Sequence, residues 1–218
     1  MENYNDLQQE RPKFNPFLSV WLHPKQTARY MINDKSIGFA ILILSIGYIG
    51  SMMTTLQDSG NSESLSDFSP WVLVLLCVIF APVTGIIGTA FSALILWLFG
   101  KLFKGTGTFS ELFKGLSITI IPSIVLIPLY VIWLLTSPET LMDLSNIGGI
   151  SWIFLILSLL VAPVVGIWSF VITVGVVAEA HQISNWMAFF TILLPFIIFI
   201  ILIVILTITL AGIFIVMN

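Results

Sequence analysis

Charge is what this sequence has least of. Asp, Glu, Lys and Arg make up 9% of its 218 residues, against roughly 25% in an average soluble domain. No Asp, Glu, Lys, Arg or His lies deep inside any of its long apolar runs. Proton relays and ion coupling depend on such groups, so an ion-coupled transporter is disfavoured. HExxH, GxSxG and Walker patterns are missing, and with them any clustered acid, base or metal set. The chain is therefore expected not to be an enzyme and to use no cofactor, metal or catalytic residue. Cysteine occurs once. Cys77 can form no internal disulfide and, set in an apolar run, reads as a small buried hydrophobe. Eight basic residues against eleven acidic ones give a net charge of -3. That excludes a phosphate-tracking surface, and nucleic acid with it. The opening residues show no h-region of a cleavable leader and no acylation motif.

What the sequence has instead is apolar length. Hydrophobic residues reach 58%, more than a soluble fold of this size can hide from water, and a lipid bilayer is the surrounding that fits. The expected fold is all-α, a polytopic bundle of five transmembrane helices. The spans fall at about 37–56, 71–99, 116–135, 152–178 and 187–217, since roughly 20 apolar residues cross the hydrocarbon layer. Residues 1–13 form a flexible polar tail. Residues 14–36 read as an amphipathic segment with Ala28, Met31 and Ile32 on one face. It lies in the headgroup layer or caps the bundle. Pro122 and Pro128 predict kinks in the third span. The last run is expected to be one tilted, kinked helix with Pro195 near its start.

The polar connections are unequal. Gln57–Pro70 and Ser137–Gly149 carry acidic residues and no basic one. The eight basic residues all fall in 11–35 and 100–115, which places the amino terminus in the cytoplasm and the carboxyl terminus outside. Trp71, Trp133 and Trp152 would then line the outer interface, with Trp97 and Trp186 at the inner one. Thr108 and Glu111 have capping-box spacing, so a helix starts there after a flexible Gly105–Gly107 turn. Glu179 and His181 fall in a short connection, EAHQISN, as interfacial polar groups too few to make a metal site.

One pattern recurs. Trp71, Ala81, Pro82, Val83 and Gly85 reappear at the same spacing as Trp152, Ala162, Pro163, Val164 and Gly166. This points to duplicated hairpins, spans 2–3 and 4–5, in a parallel repeat whose prolines sit at equivalent depths. Ala81, Gly85, Thr89 and Ala93 recur every fourth residue, a small-residue face over which another helix can approach closely. With Pro82, Pro163 and Gly166 they are the candidate helix-packing or partner surface, a partner including a second copy of the chain.

FNPFLSVWLHPKQTARYMI before the first span, the AP-V-x-G helix, Gly105-Thr-Gly-Thr-Phe-Ser-Glu-Leu-Phe before the proline-bearing third span, and Trp168 leading to Glu179-Ala-His-Gln-Ile-Ser together resemble the Yip family of small membrane proteins, in its bacterial form. The likeness covers about residues 14–210. It implies a five-span bundle with a cytoplasmic amino-terminal segment. Eukaryotic relatives act as trafficking adaptors that bind small GTPases; some bacterial relatives accompany ABC-type export systems. The amino-terminal tail here is short for a GTPase contact. The expected function is a non-enzymatic subunit, adaptor or regulator of another integral membrane protein, with an ABC permease as one candidate partner. The alternative is a transporter or pore for a small or lipidic molecule.

Overall fold

In a computed structural model, the structure describes residues 15–57, 59 and 68–217. The tail 1–13 and most of the acidic 58–67 segment lie outside these residues. Among the described residues, five stretches are long and apolar enough to cross a membrane: Ile37–Leu56, Pro70–Leu102, Phe109–Thr136, Ser151–His181 and Asn185–Leu210.

The chain enters through two short helices. Asn15 caps α1 (Pro16–Ser19) by accepting the Phe17 N–H at 3.0 Å, and Pro24 opens α2 (Pro24–Asp34) at a position where its missing N–H costs nothing. Ala28, Met31 and Ile32 on α2 are buried in one core with Leu112, Leu116 and Val176. The apolar face of α2 is thus covered by protein, while Leu18 and Leu22 before it stay exposed.

Helix α3 (Ile37–Met53) begins at Ser36, whose hydroxyl accepts the Phe39 N–H, and ends in a 3₁₀ turn, Thr54–Leu56. It is the central helix. Beside it runs α4 (Pro70–Leu102), unbroken at Pro82. On its other side the third span departs from the expected kinked helix of 116–135. It starts at the capping box of α5 (Phe109–Leu116), continues as a 3₁₀ helix over Ser117–Val125, and resumes as α6 (Leu126–Thr136). Pro122 supplies no N–H to an α-helical ladder. Ser117 and Thr119 add hydroxyl bonds to the carbonyls of Lys114 and Leu116 at 2.7 and 2.8 Å. The tighter winding also lets α3 come close, because a methyl on Gly50 would run into the Ser123 carbonyl and one on Gly47 into Ile120.

After α7 (Pro138–Met142) and a short 3₁₀ turn, α8 (Ser151–His181) extends past the expected 178, and α9 (Asn185–Met217) is one continuous helix. The connection shrinks to Gln182–Ser184. Gln182 takes the left-handed conformation (φ 55°), and the Ile183 N–H returns to the Ala178 carbonyl at 3.0 Å, closing the end of α8.

Two apolar cores are stacked along the bundle. The core far from the basic residues holds Trp133, fully buried, stacked between Tyr130 and Phe154 and donating to Thr140 Oγ1 at 3.0 Å. Trp133 is a core residue, not part of an interfacial belt; Trp71 and Trp152 remain half exposed. Cys77 is buried in the same core.

Candidate functional site

At the basic end, three segments distant in sequence lock together: α2, the loop between α4 and α5, and the last turn of α8. Arg29 on α2 donates from Nε to Glu179 Oε1 at 2.6 Å and from Nη2 to Oε2 at 3.2 Å, a two-pronged contact on α8. The carboxylate holds the proton on Arg29 still more firmly, first through the hydrogen bond and then through its charge. Lys114 on α5 donates to the Ile32 carbonyl, and at 3.4 Å to that of Lys35, where α2 ends.

The loop is tied down rather than a free turn. Lys101 Nζ bonds the carbonyls of Gly105 and Gly107 at 3.2 and 3.0 Å. The Thr106 N–H donates to the His181 carbonyl at 3.1 Å. Thr108 and Glu111 close the expected capping box: Glu111 accepts the Thr108 N–H at 2.8 Å, and the Thr108 hydroxyl accepts the Glu111 N–H at 3.3 Å.

His181 sits at the centre, fully buried. It lies on the last turn of α8, not in a connection, and it is not a surface group. Its Nε2 is 3.1 Å from the Leu96 carbonyl, which can only accept, so Nε2 carries a proton there. Nδ1 is buried with no hydrogen-bond partner among the described residues. Three glycines make the socket: a methyl added at Gly100, Gly105 or Gly107 would press into the ring or the backbone that carries it. The stretches Gly105–Phe113 and Glu179–Ser184, read separately in the sequence, are thus one structure in space.

Outside the socket lies a polar cavity of about 300 Å³ lined by Arg29, Asn33, Thr106, Thr108, Glu111 and Glu179. Among the described residues, no group of three or more His, Cys, Asp or Glu side chains is placed to hold a metal ion.

The residues singled out from the recurrence lie elsewhere. Ala81, Gly85, Thr89 and Ala93 are all buried on one face of α4. Gly85 faces α3, and a Cβ there would stand 2.7 Å from Tyr48 Cδ2. Pro82 is half buried. Their counterparts on α8 have different surroundings: Pro163 is exposed, and a Cβ on exposed Gly166 would meet nothing within 4 Å. Neither set touches the basic-end lock. Sequence reasoning passed over Arg29, Lys101 and His181 as members of a site. The signal available was three glycines within eight positions, Gly100 to Gly107, at the end of a helix.

A family model described as the Yip1 domain matches residues 18–206. No curated protein and no solved structure matches the chain.

Proposed function

Because the chain belongs to the Yip1 domain family, we propose that it is a non-catalytic partner of another integral membrane protein, a subunit, adaptor or regulator, with an ABC-type permease as one candidate. The basic end faces the cytoplasm in this reading, and the carboxyl terminus lies outside.

The observation that carries it is the surface of α9. From Phe196 to Leu210 every residue is exposed, around the whole circumference of the helix. The bundle's own cores end at Ile192 on this helix. The 33 residues of α9 reach about 50 Å at 1.5 Å each, beyond the roughly 30 Å of hydrocarbon. Half a helix that adds nothing to its own fold is material for another protein's helices. Pro163, Val164 and Gly166 of α8, all exposed, offer a second approach, because a neighbouring helix can come close over a glycine. The buried Gly85 face, by contrast, is used internally against α3.

Transport would require a polar path through the bundle, and the buried hydroxyls of Ser117, Ser158 and Thr191 instead bond carbonyls three or four residues back in their own segments. Affinity purification in mild detergent with cross-linking mass spectrometry tests the proposal. A partner should cross-link along α8 and α9 and be lost with Gly166→Leu while the variant still inserts. Recovery of the wild-type chain alone from its native membrane would overturn it.

A further inference from the structure

A second cavity lies where α2 leans on α8 and the start of α9. It has a volume of about 420 Å³, within the roughly 300–1,000 Å³ of small-molecule sites. Its floor is apolar: Phe170, Val171 and Val174 of α8, of which Phe170 and Val171 are 43% and 42% exposed toward the outside of the bundle. Its rim is polar and cationic, with Lys25 and His23 from the beginning of α2 and Asn185 from the beginning of α9. Among the described residues, no acidic side chain lines it. The nearest carboxylate further along α8, Glu179, is engaged by Arg29. Gly175 lies beneath the start of α2: a Cβ there would be in ordinary contact with Lys25 Cγ at 3.4 Å and Pro24 Cβ at 3.7 Å.

We infer that this cleft binds one anionic membrane phospholipid, its phosphate at Lys25 and the start of an acyl chain along Phe170, Val171 and Val174. Three features select this occupant. The floor belongs to a membrane-crossing helix about two to three turns from its basic end, so the cleft lies where headgroups meet hydrocarbon. A cation with no carboxylate beside it among the described residues complements a phosphate and offers no counter-charge to the amine of a zwitterionic headgroup. The apolar floor distinguishes a lipid from free phosphate, which would gain nothing from Phe170. Lys25 suits the task because its stem crosses Gly175 while its ammonium reaches the headgroup layer. The arrangement goes beyond a partner role and does not depend on one.

Native mass spectrometry of the full chain in mild detergent tests the assignment. The probes are phosphatidylglycerol, phosphatidylcholine and inorganic phosphate, each titrated separately. One phosphatidylglycerol should be retained in preference to phosphatidylcholine. Lys25→Gln, an exposed change compatible with folding, should weaken that retention about fivefold. Gly175→Leu should block it by filling the cleft. Lys104→Gln, exposed on the loop after α4, should leave it unchanged. Equal retention by the wild type and Lys25→Gln would overturn the proposal. So would equal losses in Lys25→Gln and Lys104→Gln, which indicate diffuse attraction, or an equal preference for inorganic phosphate.

Discussion

Arg29 and Glu179, 150 residues apart in the chain, meet with both carboxylate oxygens engaged. This contact fastens the amino-terminal helix to the fourth span. The Arg29 side chain is 65% exposed and that of Glu179 10%, so solvent screening limits the pair to about 0.2–1 kcal/mol. Glu179→Gln should therefore barely move the Tm. It should raise amide hydrogen exchange across Pro24–Asp34 by about twofold to fivefold, since α2 opens locally before the bundle does. The exchanged pair, Arg29→Glu with Glu179→Arg, should restore much of the protection. Unchanged exchange in Glu179→Gln would mean that the apolar face of α2 alone holds it.

His181 and Gly100 provide a sharper test. The three heavy atoms closest to a methyl on Gly100 all belong to the His181 ring. Gly100→Ala should destabilise by about 1–3 kcal/mol, the usual cost of overpacking. His181→Ala should also destabilise, by emptying the socket. The double variant should be more stable than the sum of the two losses by at least about 1 kcal/mol, because without the ring the methyl has room. Thermal unfolding in one detergent across the four proteins gives the coupling. Simple additivity would mean that the ring is not seated against Gly100.

Much of the fold was legible because apolar length is a blunt signal. Ile37–Leu56 could be bounded to the residue, and α9 could be read as a single helix, since neither needs knowledge of a neighbour. The capping box at Thr108 and Glu111 was legible for the same reason. What escaped depends on distant segments. Ser117–Val125 winds as 3₁₀ where α3 passes close at Gly47 and Gly50, and no pattern within the third span says so. Trp133 looked like an interfacial anchor from its place at a span's end, but Tyr130, Thr140 and Phe154 close over it. His181 looked like a surface group because the three glycines that enclose it lie in another part of the chain.

Gly50 should be the least replaceable glycine of α3. A methyl there would meet the backbone carbonyl of Ser123, whereas at Gly85 it would meet the Tyr48 ring, which can rotate aside. Gly50→Ala should lose the monodisperse peak in fluorescence-detected size exclusion, and Gly85→Ala should keep it with a lowered Tm. Gly38→Ala, with nothing nearer than 3.8 Å, should behave as wild type. A Gly50→Ala protein as stable as Gly38→Ala would show that α3 and the 3₁₀ segment do not approach so closely.

The proposed orientation can be checked with the chain's own chemistry. Lys25, Arg29, Lys35, Lys101, Lys104 and Lys114 all lie at one end of the bundle, and exposed Glu139 lies at the other. Basic residues near span ends are retained on the cytoplasmic side far more strongly than acidic residues are driven outward. The lysines therefore decide the topology, and Glu139 follows. Cys77, buried and single in the chain, can be replaced by alanine at modest cost to give a background without thiols. In that background Glu139→Cys should react with an impermeant maleimide on intact cells, and Lys104→Cys only after permeabilisation. The reverse order of labelling would invert the topology and put the Arg29–Glu179 lock outside. A partner held along α8 and α9 within the bilayer would be unaffected by that inversion.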